Sequence, residues 1–293
     1  EADLADLGDV DQLIATYNGK LYYKHTGRRL LKDKGHVFIK DYEDGSVDII
    51  EKLQEHAAAG VAGHDSAVRQ WLAQTVAATD DPIKAKALEE LFVDSRVALI
   101  YGAAGTGKST MVRLIAHYFN AREKLFLAHT NPAVDNLKRR VSAQNSTFRT
   151  IRSHIGRADA TAYDVLVIDE CSTVSNADLL KVLERTSFQL LVLVGDVHQI
   201  ESIQFGNWFG LARTFVPKSA VFELTTPFRT TNADLLDLWS TVRELKDDIA
   251  ETLARNNYST VLDASLFNRR GADEIVLCLN YDGLYGINNI NRF

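Results

Sequence analysis

The chain is poor in several things, and each shortage narrows what it can be. Only two cysteines, Cys171 and Cys278, occur in 293 residues. They could form a single bridge, so a disulfide-stapled secreted scaffold is excluded and a reduced cytoplasmic protein is expected. Both lie in apolar runs that read as strands. No stretch approaches the roughly 18 consecutive apolar residues that a membrane-spanning helix needs. No secretory leader is legible, although the chain opens on Glu1 rather than Met and an N-terminus upstream of it is expected. Internal repeats and low-complexity tracts are missing too. A surplus of positive charge is also lacking: the net charge is −6, which argues against a protein that coats nucleic acid.

The charge that is present is unevenly placed. Lys108 to Arg157 holds ten Lys or Arg against Glu123 and Asp135, so a basic segment sits inside an otherwise acidic chain. Such a segment is either a local anion-binding surface or a solvated helix face. Hydrophobic residues at 46% and charged residues at 25% are the balance of a globular protein with a real core.

Three regions are expected. Residues 1–60 mix short apolar stretches with charge and carry no motif tied to chemistry. The Ala/Gly-rich stretch 57–63 reads as a joint. Helical patterns follow around 67–78 and 83–92, the second opened by Asp81 and Pro82 as a start signal. From Arg96 onward short, wholly apolar runs (97–101, 124–128, 165–168, 190–194) alternate with helical or loop segments. Strands of that kind belong to a parallel sheet covered on both faces. The expected fold class is therefore α/β, an open parallel sheet over 61–225 preceded by a small mixed α+β region. Residues 226–293 would begin another unit, with a last strand at 275–279.

The motif with the clearest chemistry is Gly102-Ala103-Ala104-Gly105-Thr106-Gly107-Lys108-Ser109, with Thr110 following. It fits G-x-x-x-x-G-K-[ST] between a strand and a helix. Glycines let backbone N–H groups surround phosphate oxygens, and the following helix points its positive end at them. Lys108 would reach the terminal phosphates and Ser109 would offer its hydroxyl to Mg²⁺. Sixty-one residues after Lys108, a strand ends in Asp169-Glu170. Asp169 would hold the metal, and Glu170 would act as general base on the attacking water. Cys171 reads as a packing residue. A third strand ends in Gly195-Asp196-Val197-His198-Gln199. There Gln199 would bond the terminal phosphate or the water, or else face solvent from a turn, while His198 is left without a role.

Taken in order with Thr130–Leu137 and Pro227-Phe228-Arg229-Thr230, these segments resemble the superfamily 1 helicases, in the branch that holds RecD-like enzymes. The resemblance covers roughly residues 97–293 and implies a RecA-like motor domain plus the start of a second. It implies ATP and Mg²⁺ as cofactors, single-stranded nucleic acid as partner (DNA in the first instance) and movement 5′ to 3′. It places Thr130 and Asn131 on the strand's backbone, and Arg229 on the γ-phosphate from the far side of a cleft. Lys138, Arg139 and Arg140 would bind phosphates or simply end a helix in solvent, and Thr150 and His154 match a segment near the strand. Phe205, Trp208 and Phe209 would stack on bases or, by preference, pack in the core.

Two departures from the family pattern matter. The adenine-reading glutamine upstream of the P-loop has no counterpart at the usual spacing, Gln70 and Gln74 being the candidates. The final motifs of the second motor domain are absent, so the chain reads as a truncated helicase expected to unwind duplex poorly. A P-loop switch that governs assembly with partner proteins through the N-terminal region is the competing reading. A passive nucleic-acid-binding module with a decayed ATPase is a weaker one.

Overall fold

The computed structural model describes residues 8–75, 81–157, 161–199, 202, 204–226, 228, 230–261, 277–278 and 280–292. It divides into two compact units, 1–229 and 230–293. In chain order the first unit holds helix α1 (Val10–Gly19), strands β1 (Leu30–Asp33) and β2 (His36–Ile39), then helices α2 (Lys40–Ala57), α3 (His64–Gln74) and α4 (Pro82–Glu90). Strand β3 (Val97–Gly102), α5 (Lys108–Tyr118), β4 (Lys124–Ala128), α6 (Asn131–Val141), β5 (Ser146–Thr150) and α7 (Ile151–Ile155) follow. It closes with β6 (Thr161–Ile168), α8 (Asn176–Arg185), β7 (Thr186–Gly195), α9 (Trp208–Ala212) and β8 (Val221–Leu224).

Six strands form a sheet in the order β5-β4-β6-β7-β3-β8, with every neighbouring pair parallel. Alternate residues of each strand face opposite ways, so one sheet feeds two cores. Leu99, Leu127, Ile168 and Leu193 pack with Ile49 and Leu53 of α2, Leu179 of α8, and Trp208 and Phe209. Ile100, Phe126, Val167 and Val192 pack on the other face with Leu88 of α4, Met111 and Ile115 of α5, and Leu137 of α6. Burial on both faces is why these strands carry no polar alternation. This is the α/β fold with a parallel sheet that the sequence pattern predicts, and its four apolar runs fall within β3, β4, β6 and β7.

The joint expected near residue 60 does not interrupt the core, because Ile49, Leu53 and Ala57 of α2 are buried with the sheet. The second helix signal is met closely. Asp81 caps α4 by accepting from the N–H groups of Ile83 and Lys84, with Pro82 at the first helical position. The second unit contributes α10 (Ala233–Arg243), α11 (Ile249–Arg255) and α12 (Ile287–Ile290). Of the strand expected at 275–279, residues 275, 276 and 279 lie outside the described residues, and Leu277 and Cys278 are not in a strand. Among the described residues no helix is long and apolar enough to cross a membrane.

Candidate nucleotide site at the carboxyl edge of the sheet

The carboxyl ends of β3, β6 and β7 open onto one cavity of about 810 Å³. Its floor is the loop between β3 and α5. Gly105 and Gly107 sit at φ 84° and 94°, left-handed values that a side chain disfavours, and Gly107 turns the chain into α5. Gly102 has no room for a Cβ, which would come within 2.9 Å of the Leu224 carbonyl oxygen. Thr106 is buried and donates to the Ala103 carbonyl at 2.9 Å. Lys108 Nζ donates to the carbonyls of Gly102 at 2.6 Å and Ala103 at 3.0 Å. Ala103, Ala104, Gly105, Gly107, Lys108, Ser109 and Thr110 all line the cavity.

Opposite stand the two acids. Asp169 leaves β6 with its N–H on the Leu127 carbonyl, and its carboxylate accepts from the Glu170 N–H, both at 2.9 Å. Burial pushes the Asp169 carboxyl above the usual range. The Glu170 N–H bond and the charges of Lys108 and Arg140 oppose that rise, while the Glu170 charge adds to it. Glu170 itself holds φ 57°, a left-handed backbone costing on the order of 1–3 kcal/mol in a residue with a side chain. It is exposed towards the cavity. Cys171 is wholly buried with its thiol on the Ile168 carbonyl, and burial pushes that thiol up, so it packs as expected.

At the end of β7, Asp196 is buried and accepts from the His198 N–H at 3.1 Å. Its carbonyl takes the Gln199 N–H, also at 3.1 Å, which fixes the turn that presents Gln199 to the cavity. Lys108, Ser109, Asp169, Glu170 and Gln199 thus share one cavity. Arg229 lies outside the described residues.

The residues expected on nucleic acid are placed unevenly. Asn131, Lys138 and Thr130 are exposed on α6 and its cap, where Thr130 Oγ1 accepts from the Ala133 N–H. Arg139 lines the nucleotide cavity and donates to the Asp135 carbonyl. Thr150 caps α7 through the Ser153 N–H. His154 is a correction. It is 4% exposed and its Nε2 meets Thr186 Oγ1 at 2.7 Å, so the ring faces the sheet and does not reach a strand on the surface. Burial, with Arg149, Arg157 and Arg185 around it, lowers its pKa. Trp208 and Phe209 are core residues, as preferred, whereas Phe205 lies stacked on Tyr42 with centroids 4.2 Å apart.

Several cavity residues carry no nucleotide role in the motifs, Arg140, Lys84, Phe228 and Asp81 among them. Arg140 donates to Ser109 Oγ at 3.3 Å from the last turn of α6. Lys84, only 3% exposed, pairs with Asp81 and lies 4.9 Å over the Phe228 ring. Phe228 is 64% exposed, yet its N–H is held by the Gly105 carbonyl at 2.9 Å. Asp81 and Pro82 signal a helix start and nothing about a ligand, so that rim is invisible in the sequence. Gln70 and Gln74, the candidates for base reading, do not line the cavity.

The donors present suit a hard cation. A hydroxyl and one carboxylate are the oxygen ligands Mg²⁺ takes when phosphates supply the rest. Among the described residues no group of three His, Cys, Asp or Glu stands together as a metal site.

Comparison with known proteins gives a family and several partial likenesses. The family model described as AAA domain matches residues 82–261. A probable conjugal transfer protein TraA of Sinorhizobium fredii (strain NBRC 101917 / NGR234) is 26% identical over 190 residues, which are 63% of this chain and 16% of that protein. A Bacteroides sp Pif1 crystallised in complex with ADP-AlF4 is similar over 60% of this chain and 49% of its own, at 18% identity and a TM-score of 0.41. Pif1 helicase from Candida albicans is similar over 68% and 48%, at 19% identity and a TM-score of 0.39. The chain therefore spans a small part of that curated relative and about half of these solved chains. Its resemblance to the superfamily 1 helicases of the RecD-like type stands with these findings.

Proposed function

The chain belongs to the AAA domain family, and from that premise we propose that it hydrolyses ATP to drive movement on a single strand of nucleic acid, DNA in the first instance and 5′ to 3′. The observation that carries this reading is the convergence of Lys108, Ser109, Asp169, Glu170 and Gln199 on one cavity at the carboxyl edge of a parallel sheet. Open α/β sheets bind their ligands at that edge.

The backbone N–H groups of Gly105 to Ser109 and the amino end of α5 bind the phosphates. Lys108 exchanges its carbonyl partners for phosphate oxygens. Ser109 and Asp169 would hold Mg²⁺, which supplies charge neutralisation on the phosphates when bound. Glu170, exposed to the cavity, accepts the proton of the attacking water, and Gln199 orients that water or the terminal phosphate. Arg229 is assigned the γ-phosphate by the sequence resemblance. Thr130, Asn131 and Lys138, at the surface of α6, take the strand's backbone, with Arg139 and Thr150 beside them. Action in the cytoplasm accords with two unbridged cysteines.

The test is hydrolysis with and without single-stranded DNA or RNA, beside Glu170→Gln. The variant should keep nucleotide affinity and lose about 10²- to 10⁴-fold in kcat. Stimulation of the unaltered chain by one polymer identifies the track. Hydrolysis indifferent to both polymers would sink the motor reading and favour the nucleotide switch.

A further inference from the structure

Residues 20–40 hold seven Lys or Arg and one acid in a chain of net charge −6. Within them, Lys20 to Arg29 carries four cations, two tyrosines and His25 with no carboxylate. Of the cations close by, Lys32 is paired with Asp11 and Lys40 with Asp44. Among the described residues none of Lys20, Lys24, Arg28 and Arg29 is ion-paired, and all four are exposed. The Asp41 carboxylate lies flush against this loop at Gly27.

Tyr22 and Tyr23 stand out at 56% and 70% exposure. Their rings sit 4.5 Å apart, His25 is 5.8 Å from Tyr22, and Lys24 lies 5.7 Å over Tyr23. Rings that exposed add almost nothing to the fold. They are nevertheless held on a short 3₁₀ segment over Tyr23–Arg28 that kinks at His25. Asn18 clamps the N–H and C=O of Leu30 at 2.9 Å each, and the Lys40 N–H closes on the Arg29 carbonyl at 2.9 Å. Free cations interleaved with presented aromatic faces are what a single strand needs: phosphates meet the cations and bases stack on the rings. A lipid surface would call for an apolar face of Leu, Phe or Trp instead.

We infer that Lys20–Arg29 is a second single-strand-binding site, in which Tyr22 and Tyr23 stack on bases while Lys24, Arg28 and Arg29 bind the flanking phosphates. It rests on the proposed function, since it serves the same track, and it gives the N-terminal region a role outside the nucleotide cavity. Such a site keeps hold of the strand while the grip of α6 is released.

The experiment is anisotropy of a dye-labelled, mixed-sequence single strand titrated with the whole chain, without nucleotide, over a range of salt. The paired change Tyr22→Ala and Tyr23→Ala should weaken binding about tenfold, and Tyr23→Phe alone should leave it intact, because stacking needs the ring and not the hydroxyl. Lys24→Gln, Arg28→Gln and Arg29→Gln together should lower the slope of log affinity on log salt by about 2. Strand-free ATP hydrolysis and Tm should stay at the unaltered values, since the rings are exposed and far in sequence from the cavity motifs. Unchanged affinity and slope in these variants would overturn the site and leave the motor reading standing. So would a loss confined to a polyglutamate peptide, which would mark an acidic protein as the partner. Failure of the unaltered chain to bind any strand would bring down the proposed function and this site with it.

Discussion

The two rims of the nucleotide cavity are built on different plans. One rim comes from contiguous motifs at strand ends: the Gly102–Ser109 loop, Asp169-Glu170 and Gln199. The other is assembled from single residues on three separate elements, Asp81 and Lys84 on α4 and its cap, Arg140 on α6, and Phe228 after β8. On the first rim, function dictates backbone geometry, so the residues are bound to fixed spacings. On the second, any element passing near can supply a charge or a ring. The comparison separates the chemistry that every P-loop must share from the contacts that tune it.

The sharpest way to break that distinction is Arg140. Its guanidinium reaches the Ser109 hydroxyl from the far end of a helix that opens at Thr130 and Asn131. An eleven-residue helix is a rigid rod of about 16 Å. Contact at its start can therefore be felt at its end. Arg140→Gln should lower strand-stimulated kcat about tenfold, the scale of one charge-assisted hydrogen bond, while strand-free hydrolysis falls less. Equal loss with and without strand would show that Arg140 serves the nucleotide alone and that the second rim carries no signal.

How much was legible follows the same line. The sheet could be read because strands buried on both faces must be apolar throughout, as Leu125 to Ala128 are, and because Gly102, Asp169 and Glu170 sit where strands end. Helix α4 could be read from Asp81-Pro82 because capping is local. What could not be read depended on contacts distant in sequence. Lys84 on Phe228 spans 144 positions, and the fate of His154 depended on whether its helix turned it towards Thr186 or outwards. The exposed rings at Tyr22 and Tyr23 were legible as residues but not as a surface, because an apolar pair reads the same whether buried or presented.

A smaller effect sharpens the second rim. Lys84 is nearly enclosed, and the Lys84 hydrogen bond is the main reason the Asp81 carboxyl is held below the usual range. Lys84→Met keeps the length of the side chain and removes its charge. Asp81 still accepts from two backbone N–H groups, so the cost in stability should stay near 1 kcal/mol by thermal melting. Nucleotide affinity should weaken about threefold, the scale of a partly screened charge at the cavity wall. An unchanged Kd would demote Lys84 to a helix-capping residue.

The smallest effect is a slope with pH. His64 is 2% exposed, bonded to the Leu88 carbonyl of α4 at 2.8 Å and ringed by Phe92, Tyr118 and Phe119. Burial lowers its pKa, against the opposing pull of that hydrogen bond and of Asp65, and burial likewise lowers that of His154. For such groups the unfolded chain takes up protons first. Stability is thus untouched above the unfolded value of about 6.5 and falls as pH drops below it, by up to about 1.4 kcal/mol per pH unit for each histidine until the folded group titrates. His64 is bonded to the helix that carries Lys84, and His154 is not. Replacing His64 by Gln should therefore flatten the acid loss of nucleotide affinity as well as that of stability, whereas His154→Gln should flatten only the stability curve. Identical behaviour of the two variants would mean that α4 and the P-loop unfold as one body, and that the two rims differ in chemistry but not in mechanical independence.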